Sequence, residues 1–280
     1  MSILGGFLGT VYTAATMGGT KTNRGVITRF NPQLDPGNLP VKGTGERGLY
    51  DILIGHRQPV FSIDFLPTDK DWIASIQDGS VTTAFLHLYF QSVNKGLTFE
   101  DAVVNRLSLE AAHGEIIRAT AEFWSGGGSN WPVGIRDYDD TPPTGSYGAR
   151  ETTPYRWLDS VLDIAAVIPV TDWWSWRYEV NNNLQRLGNV ADGSTRKIVP
   201  RTRDVSGLIV KDCEDFAEYG DIADIAAEMA RFNITITLDT VEMLNCDRCR
   251  WGRLEAPSSP EDLIAKRFPF TATDLTTLTP

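Results

Sequence analysis

The sequence predicts an all-β protein with one packed helix, and three observations carry that prediction. Apolar and polar residues alternate strictly through two neighbouring segments that flank a His113-Gly114 turn. β-Branched and aromatic residues fill further short runs bounded by Gly, Pro, Asn and Asp. Helical spacing of apolar residues stands out in one place, Asp221 to Arg231.

Residues 1–48 carry clusters of Gly and Thr, then Asn31, Pro32, Asp35, Pro36, Gly37, Asn38 and Pro40, with no sustained period. They read as an extended arm that either packs on the body or reaches a neighbouring subunit. From residue 49 to 280 the strand signals dominate, beginning with Val60 to Phe65 and Val81 to Val93. The clearest element is next. Val103, Asn105, Leu107, Leu109 and Ala111 fall on one strand face and Val104, Arg106, Ser108 and Glu110 on the other. On the return strand Ile117, Ala119, Ala121 and Phe123 oppose Ile116, Arg118, Thr120 and Glu122. Such a hairpin buries one side and presents a charged side to water.

A Gly, Pro and Asp loop over 125–148 follows. Further strands are expected at Trp157 to Ile164, Trp174 to Asn182, Val205 to Lys211 and Asn233 to Met243. The helix lies between the last two, with Ile222, Ile225, Ala226 and Met229 on one side and Asp221 as N-cap.

Composition narrows the function. The chain has 280 residues, 41% hydrophobic and 22% charged, as folded domains do. A formal charge of −10 argues against a protein that grips nucleic acid through phosphate contacts, because that needs a basic stripe. Cys213, Cys246 and Cys249 are too few and odd in number for a disulfide framework, so folding in a reducing cytosol is expected. No run approaches the about 18 apolar residues of a membrane helix, and neither export nor a membrane span is expected.

Candidate chemistry is sparse. Cys246-Asp247-Arg248-Cys249 has redox or half-zinc spacing, but a second Cys pair is missing, and a turn after a strand is the plainer reading. Asp137, Asp139 and Asp140 could supply oxygen ligands to a hard cation, although the calcium-loop pattern is absent. Gly126-Gly127-Gly128 lacks the Lys-Ser/Thr of a phosphate-binding loop. His113 has no nucleophile signature to serve. Trp124, Trp131, Trp157, Trp173, Trp174 and Trp176 read as anchors of a core or interface, with a carbohydrate platform as the alternative. No catalytic residue, metal or cofactor is expected.

The hairpin, Glu100 to Leu109 and then His113-Gly114-Glu115-Ile116-Ile117-Arg118-Ala119-Thr120, resembles the tail tube proteins of tailed bacterial and archaeal viruses. Three later segments keep that family's order: Trp176 to Leu184 with its Asn181-Asn182-Asn183, Asp204 to Ile209, and Arg267 to Ala272 as a closing strand. The resemblance spans about Tyr50 to Leu278 and departs from the family before Tyr50 and at Trp173, Trp174 and Trp176. It implies a β-sandwich or rolled-sheet subunit with a flanking helix, whose long hairpin contributes to an oligomeric β-barrel. Copies would form rings, most often hexamers, and the rings would stack into a tube in the virion tail, assembled in the host cytoplasm. Its partners would be itself, the tape measure, terminator and baseplate proteins, and viral DNA in passage. Arg106, Ser108, Glu110, Arg118, Thr120 and Glu122 would then face the lumen, the arginines pairing with glutamates across the strands. Two rivals stand beside it: another virion ring component such as a tail terminator or baseplate hub, and a carbohydrate-binding β-sandwich or glycosidase.

Overall fold

A computed structural model describes residues 9–16, 19–35, 38–42, 49–54, 58–79, 82–90, 95–126, 135–138, 153–165, 173–188, 195–212, 232–239, 241–253 and 265–275. In chain order these form β1 (Gly9–Ala14), β2 (Thr22–Asp35), β3 (Asn38–Lys42), β4 (Leu49–Ile54), β5 (Gln58–Pro67), α1 (Lys70–Ile76), β6 (Thr82–Phe90), β7 (Lys95–Ala112), β8 (Arg118–Ser125) and β9 (Ile135–Tyr138). A 3₁₀ turn at Trp157–Asp159 leads into β10 (Ser160–Ala165), β11 (Trp173–Asn181), β12 (Gln185–Gly188), β13 (Thr195–Val199), β14 (Asp204–Asp212), β15 (Phe232–Leu238), β16 (Val241–Trp251) and β17 (Ala265–Leu275). The fold is all-β.

Thirteen strands make one antiparallel sheet, and part of it closes on itself. The order β7-β6-β1-β2-β5-β8 returns to β7 through the β7–β8 pairing, giving a six-stranded barrel. Closure follows from the length of β7, which at 18 residues pairs with β6 through its first half and with β8 and β11 through its second. Between the halves Asp101 sits at φ 50, a left-handed kink that re-aims the strand. Beyond β11 the sheet continues as β14-β17-β16-β15-β10.

Side-chain alternation builds the core. Phe61, Ile63 and Phe65 of β5 meet Ala119, Ala121 and Phe123 of β8, all buried. Phe61 stacks on Phe99 at 3.6 Å and on Phe123 at 5.1 Å between ring centres, so small alanines alternate with large rings. The sheet's extension buries Trp176, Tyr178 and Val180 of β11 and Ile234, Ile236 and Leu238 of β15. It curls back on itself: the Trp176 indole donates to Ser160 Oγ at 3.3 Å, and the Tyr178 hydroxyl donates to Met243 O at 3.4 Å. The tryptophan-rich stretch is therefore core in the cases of Trp173 and Trp176.

One helix lies among the described residues, and it is not the one the sequence predicts. α1 has seven residues with Trp72, Ile73 and Ile76 buried, and Asp69 caps it by accepting from the Trp72 N–H at 2.8 Å. Residues 221–231 lie outside the described residues.

Other expectations are corrected. Of the stretch expected to pack on the body or reach a neighbour, residues 9–35 include β1 and β2, and β1 pairs with both β2 and β6 inside the barrel. Register shifts at Val11/Tyr12 in β1 and Ile27/Arg29 in β2 break the alternation, so neither strand shows period two. Asn233 to Met243 is two strands, because Asp239 at φ 57 turns β15 into β16. Cys246 and Cys249 lie within β16, not in a turn after it. The 125–148 loop holds a strand, β9, paired with β7.

Candidate functional site

The polar side of the β7–β8 hairpin is the site that the sequence singles out. Its turn forms because Gly114 adopts φ 77 and the Glu115 N–H donates to Ala112 O at 2.9 Å. The antiparallel register then sets Arg106 opposite Glu122, Ser108 opposite Thr120 and Glu110 opposite Arg118. All six share the side away from buried Leu107, Leu109, Ala119 and Ala121.

Neighbouring strands widen this into a face. β11 adds Asn181 beside Arg106, Glu179 beside Ser108 and Arg177 beside Glu110. β14 adds Asp204 and Ser206 beyond them, and β5 sets Asp64 beside Thr120 and Ser62 beside Glu122. On these five strands three arginines, 106, 118 and 177, stand among five carboxylates, 64, 110, 122, 179 and 204, and Arg186 of β12 lies over Trp124 beside Glu122.

The arginines have partners, though not the ones expected. Arg106 pairs with Glu179 of β11 at 2.5 Å rather than with Glu122 across the hairpin. Arg118 reaches Glu115 at 3.3 Å rather than Glu110, and Arg177 donates to Ser108 Oγ at 3.3 Å. Glu122 is occupied instead by Asn105 Nδ2 at 2.8 Å and the Trp124 indole N–H at 2.9 Å. Thr120 Oγ1 donates to Asp64 Oδ1 at 2.9 Å. A guanidinium held by a carboxylate offers little net charge to a passing anion.

An asparagine junction fixes one end of this face. Asn182 is buried; its Nδ2 donates to Val104 O at 3.0 Å and Gln77 O at 3.2 Å, while its Oδ1 accepts from Arg203 Nε at 3.2 Å. Asn183 takes φ 45, which asparagine tolerates, and donates to Asp204 Oδ2 at 2.7 Å. Asn105 Oδ1 accepts the Leu184 N–H at 2.9 Å. The three consecutive asparagines were visible in the sequence, but their partners at 77, 104 and 203 were not.

The remaining candidates do not converge on chemistry. His113 lies exposed at the hairpin tip, edge-on to Trp157 at 4.6 Å. Cys246 and Cys249 are buried and form no disulfide, and Cys249 Sγ lies 3.4 Å from Cys246 O. Cys213, Asp139, Asp140, Gly127, Gly128 and Trp131 lie outside the described residues. Among the described residues no three His, Cys, Asp or Glu side chains gather as metal ligands. No helix among them is long and apolar enough to cross a membrane. Compared with protein-family models and with curated proteins, the chain matches none.

Proposed function

We propose that this chain is a structural subunit of a viral tail, polymerising as stacked homo-oligomeric rings around a conduit for DNA, with the polar face of β5, β8, β7, β11 and β14 lining the lumen. The observation that carries the reading is the charge arrangement on those five strands: their carboxylates outnumber their arginines, and each of those arginines is engaged by a carboxylate or hydroxyl. A wall of this kind repels or ignores a polyanion, which suits sliding and opposes binding. The order of hairpin, Asn-rich strand end and closing strand adds the resemblance to tail tube proteins. From that resemblance come the hexameric ring, the virion location, the tail-protein partners and the absence of catalysis.

Negative-stain microscopy of the purified protein over a wide concentration range tests this directly. Rings and stacked tubes are expected. A monomer at every concentration refutes the proposal, single rings that never stack favour a terminator or hub, and saccharide binding or turnover favours the carbohydrate reading.

A further inference from the structure

We infer that neighbouring copies join head to tail, the basic β12–β13 hairpin of one docking on the acidic β10 edge of the next. This rests on the polymerising subunit proposed above and names the surfaces that make the contact.

The β10 edge is unusual in three ways. Among the described residues β10 has a strand neighbour on one side only, β15, which makes it an edge of the described sheet. Leu158 and Val161 are 71% and 59% exposed there, and Ile116, bridged to Arg156, is 43% exposed. These are three of the four large apolar side chains exposed among the described residues, a concentration that marks an interaction surface. Residues 156–165 also hold two carboxylates, Asp159 and Asp163, against one cation, Arg156. Arg156 engages Asp159 at 3.2 Å, which leaves Asp163 outward beside Val161.

The fourth exposed apolar residue, Leu187, sits on β12. β12 and β13 form a two-stranded sheet separate from the large one, and such a ribbon gains from a neighbour. Its inner side is anchored by Arg186, whose guanidinium lies 4.9 Å over the Trp124 ring. Its outer side shows Leu187, Lys197 and Arg201. Residues 185–201 contain Arg186, Arg196, Lys197 and Arg201 against one carboxylate, Asp192, in a chain of net charge −10. Two copies of so acidic a chain repel in general, and this hairpin is where one copy is drawn to the carboxylates of another.

The two surfaces are different: β10 ends the large sheet, whereas β12 and β13 form a separate ribbon that follows β11. A contact between two different surfaces is heterologous, the kind that builds rings and filaments.

Charge reversal with mixing tests the contact. Lys197→Glu/Arg201→Glu and Asp163→Lys should each weaken assembly roughly tenfold or more in concentration, read by sedimentation and microscopy. Mixing the two should restore it, since each reversed surface then meets its complement. Independently, Leu187→Cys mixed with Val161→Cys should give an oxidised dimer absent from either variant alone; both sites are exposed, so folding is spared. If the wild-type chain assembles but neither the mixing rescue nor the mixed dimer occurs, this contact is wrong and the tube reading stands. If the wild-type chain stays monomeric, both fall.

Discussion

Replacing Asn182 by Ala should be among the most damaging single changes to the polar face, although Asn182 touches no solvent. The side chain is 1% exposed and makes three bonds: to Val104 O of β7, to Gln77 O at the end of α1, and from Arg203. Each intramolecular hydrogen bond contributes about 1 kcal/mol net, more where a guanidinium is involved, and a buried carbonyl left without its donor adds a desolvation cost. The sum is about 3–4 kcal/mol. At about 2 °C per kcal/mol for a chain of this size, thermal unfolding at fixed protein concentration should fall by at least about 6 °C. Asn182→Asp should be no milder, because it keeps the contact to Arg203 but turns a carboxylate oxygen toward two carbonyls. The exposed neighbour Ser206→Ala serves as control and should lie within about 0.5 kcal/mol of wild type. An Asn182→Ala melting temperature within about 2 °C of wild type refutes the junction as a structural tie.

Two further outcomes follow from a buried histidine and a crowded glycine. His87, buried and bonded through Nδ1 to Thr98 Oγ1 at 2.6 Å, has its pKa lowered from 6.5 to about 4 by burial first and by the Lys21 charge second. The unfolded chain therefore takes up the proton first: stability is whole above about pH 6.5 and falls between there and pH 4, by about 3 kcal/mol. Urea unfolding of wild type and His87→Leu at pH 7.5 and 4.5 checks this, and equal pH slopes would sink it. At Gly207 of β14 an added Cβ would lie 2.3 Å from Phe270 Cζ and 2.6 Å from Arg177 O. Gly207→Ala should cost about 1–3 kcal/mol in urea unfolding, and Phe270→Leu in that background should recover only part, since the carbonyl cannot yield. Full recovery would show that the ring alone sets the limit.

The β-rich class, the β7–β8 hairpin and the six polar residues on one of its sides were legible because alternation is local: period two in the chain becomes two faces in any extended strand. The same reasoning found β5, β6, β11 and β14 to within a few residues. It missed β1 and β2, whose register shifts scramble the period, and α1, whose seven residues are too short to show one. It also merged β15 with β16, since no Gly or Pro marks the turn at Asp239.

By itself, then, the chain determined which side of each regular strand is apolar, the acidic total, and the presence of Asn181-Asn182-Asn183. Tertiary structure decided what lies beside what. Arg106 pairs with Glu179, 73 residues away, and not with Glu122 opposite it, because β11 lines up on the free flank of β7 and Asn105 has already claimed Glu122. Only the closing of β7 on β8 makes residues 9–35 part of a barrel. Strand periodicity is written within a few residues, whereas strand neighbours are chosen by packing across the whole chain, and the wall's electrostatics depend on that choice.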